Sequence, residues 1–275
     1  MTKLCDTFRS RAISTWDLLR RARVNDFQPG EETITELNLL EIRRKHPQEV
    51  LLHKFTKRKE SLMGADWEWW LTGSSRRWLG LRVQAKIVNL KLGTFPHLHY
   101  KGKSGYQTDV LIHRALSDNP PRIPLYCLYS NWDTKLISYS WPCWSFQASV
   151  RSYGCSFISA LLVRFLRLRC SANNLTDLLP YMLPWQCLVC CYGYRTGDLP
   201  NRAYHYWRRA ILLREDRALE GLEEDLRNRY RSIEPVANPP SYVQHLLQGG
   251  EPERLEDRGL QGVIVIREEV ESEGV

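Results

Sequence analysis

The residues best suited to chemistry are one aspartate and a Gln-x-Lys sequence on two neighbouring extended segments. Asp66 lies in the segment GADWEWW, and Gln84 and Lys86 lie in the segment RVQAK. A carboxylate and an amide oxygen are hard ligands suited to Mg²⁺ or Mn²⁺. A lysine beside them can orient an attacking water and stabilise a pentavalent phosphate. Together the three side chains indicate metal-assisted hydrolysis of a phosphate ester.

The stretch Gly64–Val88 is predicted to be a β-hairpin that brings these side chains together. The polar segment Thr72–Arg77 supplies the turn, and aromatic and β-branched residues dominate both flanks. Because successive side chains of a strand point to opposite faces, Gln84 and Lys86 share one face of the second arm. If the arms pair, Asp66 lies on that same face. We therefore expect one face of the hairpin to be core and the other to be polar.

The arrangement Asp66 … Gln84-Ala85-Lys86 resembles the core signature of the PD-(D/E)xK phosphodiesterase superfamily. The wider pattern, GADWEWW followed by RVQAK, is also similar to an uncharacterised prokaryotic family assigned to that fold. The resemblance implies an α/β protein with a restriction-endonuclease-like mixed central sheet flanked by helices. It also implies a Mg²⁺- or Mn²⁺-dependent nuclease that cleaves DNA, with a role in prokaryotic defence against foreign DNA. Gln84 stands where most members have a carboxylate, so this site would hold its metal with less negative charge.

A helix is predicted over Glu31–His46, after the break at Pro29-Gly30. In the resembled fold, the helix before the catalytic sheet often supplies a glutamate to the metal site. Glu36 or Glu32 is the candidate here, and the two share a helix face because they are four residues apart. Thr33 and Glu36 also match a capping box, which is a structural alternative. The side chains predicted to face inward are Ile34, Leu37, Leu40 and Ile42.

The remaining core elements follow in the order that the resemblance implies. Glu49–Phe55 is predicted to be the first strand, paired beside the hairpin, and residues 106–116 are predicted to form a helix. The apolar run Ile123–Ser130 is predicted to be a central buried strand. The order helix, strand, strand, strand, helix, strand is that of the resembled core.

Four segments make up the predicted domain organisation. They are an N-terminal helix (1–28), a nuclease-like core with decorations (29–200), a helical extension with a Pro-rich linker (201–248), and a terminal strand with an acidic tail (249–275). The strand Gly262–Arg267 is expected to dock on a sheet edge. Its sequence, GVIVIR, is apolar up to its last residue.

The charge distribution indicates a polyanionic partner for the segment that carries the candidate site. The net charge is +8, and residues 61–170 hold 14 Lys and Arg against 5 Asp and Glu, whereas residues 249–275 hold 3 against 8. Basic side chains beside the site would bind the nucleic-acid backbone without reading sequence, with DNA favoured over RNA by the resemblance. The residues predicted to do so are Lys57, Arg58, Lys59, Arg76 and Arg77.

A catalytically inactive nucleic-acid-binding module of the same fold is the alternative function, and Gln84 in place of a carboxylate favours it. A homodimer and a regulatory protein partner both stay open. The 8 cysteines lack the spacing of a small disulfide framework, and neither a signal peptide nor a membrane span is recognisable. We therefore expect reduced cysteines and a cytoplasmic location.

Overall fold

The computed structural model describes residues 3–55, 65–135, 137, 149–190, 197–212, 215–250 and 260–268. Its centre is a mixed sheet of seven strands. Two further short strands form a hairpin of their own. The strands are, in chain order, β1 (Val50–Lys54), β2 (Trp67–Thr72), β3 (Trp78–Ile87), β4 (Lys101–Gly102), β5 (Gly105–Tyr106), β6 (Ile123–Tyr129), β7 (Cys155–Ser159), β8 (Leu183–Pro184) and β9 (Gly262–Arg267).

The sheet order is β1-β9-β2-β3-β6-β7-β8. β2 and β3 form the predicted antiparallel hairpin, with Trp67 opposite Val83 and Thr72 opposite Trp78. β6 runs parallel to β3 and places Tyr126 beside Gln84. The hairpin is therefore central in the sheet, with partners on both sides.

The position of β9 corrects two predictions about the edge of the sheet. β9 pairs with β1 on one side and with β2 on the other, so it does not dock on an edge. β1 is consequently not the direct neighbour of the hairpin. The apolar sequence GVIVIR fits an inner strand, because five of its six residues are buried. The predicted terminal strand Gly262–Arg267 is therefore an inner strand of the central sheet.

Helices cover both faces of this sheet. The Tyr129 hydroxyl donates a hydrogen bond to Thr35, and the Tyr126 hydroxyl is hydrogen-bonded to Thr108. Since Tyr126 and Tyr129 are three apart on one strand, they point to opposite faces. The helices are α1 (Lys3–Val24), α2 (Glu31–Lys45), α3 (Gln107–Ser117), α4 (Ala160–Cys170), α5 (Leu175–Leu178), α6 (Gln186–Cys190), α7 (Leu199–Leu212), α8 (Glu215–Ala218), α9 (Glu224–Arg231) and α10 (Ser241–Leu247).

This double coverage buries the face of the hairpin that the sequence predicts to be polar. α1 and α2 pack on the face that carries Trp69, whose ring contacts the Phe8 ring. The opposite face carries Glu68 and Arg82, and both side chains are completely buried. Glu68 and Arg82 must therefore be paired within the protein, because water does not reach them.

The inward face of α2 differs from the predicted one. Its buried residues include Ile34 and Ile42, whereas Leu37 and Leu40 are 46% and 55% exposed. The buried stripe follows the helical spacing of three and four residues. Three residues before Ile34, towards the start of the helix, this stripe reaches Glu31 rather than Glu32 or Glu36.

A disulfide bond joins the first helix to the helix that follows β8. Cys5 in α1 is bonded to Cys190 in α6 across a sequence separation of 185 residues. The prediction that the cysteines are reduced is wrong for this pair. In the sequence Cys187-Leu-Val-Cys190, Cys187 is a buried thiol and Cys190 belongs to the disulfide. In the described ranges, no helix is both long and apolar enough to cross a membrane.

Candidate active site

The site lies where β3 continues past the start of β2. β2 begins at Trp67, opposite Val83, so the backbone of Ala85 has no residue of β2 beside it. Asp66 takes the place of the missing strand, because its Oδ2 accepts a hydrogen bond from the Ala85 N–H at 2.9 Å. The Gln84 amide nitrogen donates to the same Oδ2 at 2.6 Å and to the Ala85 carbonyl oxygen at 3.1 Å. Two oxygens, one of them from the backbone, thus converge on one point.

Lys86 extends the site along the same strand. Its side chain is nearly buried, and its ammonium nitrogen lies 4.0 Å from a carboxylate oxygen of Glu31. The other Glu31 oxygen accepts from the Ile87 N–H at 3.2 Å. The first residue of α2 therefore meets the end of β3 and holds the lysine in place.

The Glu31 carboxyl has a strongly altered acidity. Burial raises its pKa to about 7, the negative charge of Asp66 adds to this effect, and the positive charge of Lys86 opposes it. A carboxyl that titrates near neutral pH can take up and release a proton during a reaction. Glu31 is thus a candidate proton acceptor at the site.

The two glutamates predicted from the sequence occupy different places. Glu32 accepts a hydrogen bond from the Gln261 side chain, which also donates to Asp66 Oδ1, both at 3.4 Å. Glu32 therefore belongs to the rim of the site. Glu36 forms an exposed ion pair with Lys54 at 2.5 Å. The structure consequently brings Glu31, not Glu36, to Lys86.

A second amide closes the site on the side of α3. Gln107, the first residue of α3, donates through Nε2 to Gln84 Oε1 at 2.9 Å. The next residue, Thr108, is fully buried against the Tyr126 hydroxyl. The Gln84 amide is therefore held at both ends, by Asp66 and by Gln107.

The donor set of the site suits a hard cation in part. Asp66 Oδ2 and the Ala85 carbonyl oxygen are ligands of the kind that Mg²⁺ and Mn²⁺ prefer, and Gln84 Oε1 becomes a third if its amide rotates. The amide nitrogen now lies between the first two oxygens, where a positively polarised group is stable. Among the described residues, no three His, Cys, Asp or Glu side chains are close enough to hold a metal together. Any cation here would be held by the Asp66 carboxylate together with amide and backbone oxygens.

A second charged cluster lies on the same sheet face, two residues nearer the turn of the hairpin. Arg82 contacts a carboxylate oxygen of Glu68 and one of Asp118, each at 2.7 Å. Arg122 contacts Glu68 at 3.2 Å and also pairs with Asp118. Glu68 further accepts hydrogen bonds from Trp70 and Tyr242. The two arginines and two acids balance in charge, so this cluster fits a structural role.

A protein-family profile described as a family of unknown function (DUF6615) matches residues 4–272. The chain belongs to DUF6615. No curated protein and no solved structure matches it. The DUF6615 profile covers both charged clusters and every strand of the sheet.

The predicted phosphate-binding residues of this DUF6615 chain fall into two groups. Lys57, Arg58 and Lys59 lie outside the described residues. Arg76 and Arg77 lie in the turn at the opposite end of the hairpin. A strand rises about 3.3 Å per residue, so the residues between them and Gln84 span roughly 25 Å. Arg77 donates two hydrogen bonds to the Pro235 carbonyl oxygen. The structure does not bring these two arginines to the candidate site.

Other basic residues of this DUF6615 chain follow the site in the sequence. The segment between β3 and α3 carries the exposed Lys91, Lys101 and Lys103. It ends beside Gln107, whose N–H donates to the Tyr100 carbonyl oxygen. The sequence signal that identifies this segment is its position directly after Gln84-Ala85-Lys86.

Proposed function

We propose that the protein is a metal-dependent nuclease that hydrolyses phosphodiester bonds of DNA. The observation that carries the proposal is the meeting of Asp66, Gln84, Ala85 and Lys86 with Glu31 at one end of β3. Carboxylate, amide and carbonyl oxygens are suited to Mg²⁺ or Mn²⁺, and the adjacent lysine is suited to a phosphate. A carboxyl with a pKa near 7 completes the set needed for hydrolysis.

The arrangement of the elements supports a restriction-endonuclease-like core for this proposal. The elements α2, β1, β2, β3, α3 and β6 occur in the order that the sequence resemblance implies. β3 is antiparallel to β2 and parallel to β6, which makes the sheet mixed. In this interpretation β7, β8 and β9 are additions to the core, with β9 inserted between its first two strands.

Each side chain of the site has a role in the proposed reaction. A bound Mg²⁺ would polarise the scissile phosphate and lower the pKa of a water molecule. Asp66 and the Ala85 carbonyl would hold it, with Gln84 as the third ligand. Lys86 stabilises negative charge that develops on the phosphate. Glu31 keeps the Lys86 ammonium in place and accepts the proton of the attacking water.

DNA is the proposed substrate because the segment that follows the site carries exposed lysines. The exposed Lys91, Lys101 and Lys103 lie on the segment that leads from the site to α3. Lysines on such a segment contact backbone phosphates and position the strand without reading its bases. Cleavage of foreign DNA in a prokaryotic host is the biological role that fits this activity.

The test is cleavage of supercoiled plasmid and of single- and double-stranded oligonucleotides with Mg²⁺, with Mn²⁺ and with EDTA. Asp66→Asn and Lys86→Met keep the shape of the site and remove its charges. We expect metal-dependent cleavage that falls by at least about 100-fold in both variants. Cleavage that both variants retain would show that the site is elsewhere.

A nucleic-acid-binding module without catalysis is the second candidate. The Gln84 amide nitrogen fills the point between Asp66 Oδ2 and the Ala85 carbonyl, so the polar groups satisfy one another without a metal. This function predicts salt-dependent DNA binding that Asp66→Asn leaves unchanged. It also predicts that no divalent ion produces cleavage.

A further inference from the structure

The amide groups of Gln84 and Gln107 form a chain that ends at the carboxylate of the site. Gln107 Nε2 donates to Gln84 Oε1 at 2.9 Å, and Gln84 Nε2 donates to Asp66 Oδ2 at 2.6 Å. Gln107 Oε1 is buried and has no hydrogen-bond partner within the described residues. Gln107 therefore donates to Gln84, and Gln84 in turn donates to Asp66.

This direction conflicts with cation binding by Gln84. Its nitrogen points at Asp66 Oδ2 and the Ala85 carbonyl, which are the oxygens that would face a metal. An amide ligates a metal through oxygen, not through its N–H groups. Gln84 must therefore rotate its amide before it can serve as a ligand.

We propose that Gln107 is a positioning residue that controls this rotation, so that both amides turn together when a divalent cation binds. The inference rests on the proposed metal-dependent function. After the double rotation, Gln84 Nε2 donates to Gln107 Oε1, and Gln84 Oε1 faces Asp66. One hydrogen bond between the amides exists in either orientation, and either leaves one end of the Gln107 amide without a partner. The hydrogen bond between Gln107 and Gln84 thus favours neither state of Gln84, and a bound cation would decide between them.

Replacement of Gln107 with a carboxylate removes this symmetry. The carboxylate of Gln107→Glu can only accept, so it holds Gln84 with nitrogen towards α3 and oxygen towards Asp66. A hydrogen-bond preference of about 1 kcal/mol corresponds to about fivefold in affinity. We expect Gln107→Glu to bind Mn²⁺ about fivefold more tightly than the wild type.

The variant Gln84→Glu is a second background that separates the effect of amide orientation from the effect of added negative charge. In Gln84→Glu both terminal atoms are oxygens, so no rotation is needed and Gln107 serves only as a donor to the carboxylate. Gln107→Glu then has no amide to orient, so it should change Mn²⁺ binding only through its added negative charge. An effect of charge alone would strengthen binding by the same factor in both backgrounds, whereas the orientation effect adds about fivefold in the wild-type background.

The experiment is calorimetric titration of the four proteins with Mn²⁺ in the absence of DNA, with circular dichroism to show that each is folded. A gain in Mn²⁺ affinity from Gln107→Glu that is about fivefold larger in the wild-type background than in the Gln84→Glu background supports the inference. Equal gains in the two backgrounds, or no effect in either, overturn it while the proposed function stands. Failure of both the wild type and Gln84→Glu to bind Mn²⁺ overturns the inference together with the proposed metal site.

If Gln107→Glu does not fold, nuclear magnetic resonance can test whether the two amides rotate together. The side-chain amide signals of Gln84 and Gln107 are assigned in the wild type by single Gln→Met replacements. Mg²⁺ should shift both pairs of signals, because both amides exchange their hydrogen-bond partners. A shift confined to Gln84 contradicts the coupled rotation.

Discussion

Two charged clusters lie on one face of the same hairpin and differ in how their acids are neutralised. Glu68 is completely buried and contacts both Arg82 and Arg122. Glu31 lies 4.0 Å from Lys86 and near the negative charge of Asp66. Among the described residues, Glu68 thus has two close arginines, whereas the ion-pair partner of Glu31 is a more distant lysine.

The acidities of the two glutamates show the result of this difference. Burial by itself raises the pKa of the Glu68 carboxyl, but Arg122 and Arg82 outweigh that effect and hold the pKa below its ordinary value. For Glu31, burial prevails and the pKa rises to about 7. The fully buried Glu68 is therefore a charged structural group, whereas Glu31, whose side chain is 25% exposed, is poised for proton transfer.

Removal of the Glu68 charge should give the largest effect on stability. Among the described residues, Glu68→Gln leaves Asp118 as the acidic partner of two buried arginines, and one broken buried pair costs about 3–5 kcal/mol. Urea denaturation measures this loss in the free energy of unfolding. Asp66→Asn is the matched control, with an expected change of about 1 kcal/mol, because Asp66 is only half-buried. Equal losses in the two variants would remove the distinction between the clusters.

The pH dependence of stability should have opposite signs for the two glutamates. Glu31 has its pKa raised from 4.5 to about 7, so its contribution is complete below pH 4.5 and is lost as pH rises to 7. The loss is on the order of 3 kcal/mol. Glu31→Gln, measured by thermal unfolding in EDTA, should remove this decline. Glu68 has a lowered pKa, so its contribution is instead lost as pH falls below 4.5.

Contacts with DNA should also differ between the two ends of the hairpin. The double change Lys101→Glu and Lys103→Glu should weaken DNA binding about tenfold and reduce its salt dependence, because phosphate contacts are lost near the site. Fluorescence anisotropy at several salt concentrations measures both quantities. Arg76→Glu, at the turn, should change the affinity less than about twofold. The reverse ranking would place the DNA at the turn.

The smallest effect is expected for Glu36, the acid predicted from the sequence to complete the site. Glu36→Gln loses one exposed ion pair and should alter the free energy of unfolding by no more than about 0.5 kcal/mol. Its cleavage rate should equal that of the wild type, whereas Glu31→Gln should cleave at least about tenfold more slowly. A slow Glu36→Gln variant would restore Glu36 as a site residue.

The sequence predicts the local features of this molecule better than the distant ones. The hairpin and the shared face of Gln84 and Lys86 follow from alternation within ten residues. The place of β9 does not, because pairing between Gly262 and Trp67 depends on contacts across the chain. The sequence does not predict Glu31, for a more local reason. The apolar Leu37 and Leu40 suggest a buried face of α2 that the structure leaves exposed.

The most direct test of the account is a crystal structure of the protein grown with Mn²⁺, with anomalous diffraction used to locate the ion. The account predicts an anomalous peak bounded by Asp66 Oδ2, the Ala85 carbonyl oxygen and a rotated Gln84 amide. The cluster around Glu68 should show none. A peak at another position, or Gln84 nitrogen still directed at Asp66 beside a bound ion, would contradict the proposed site.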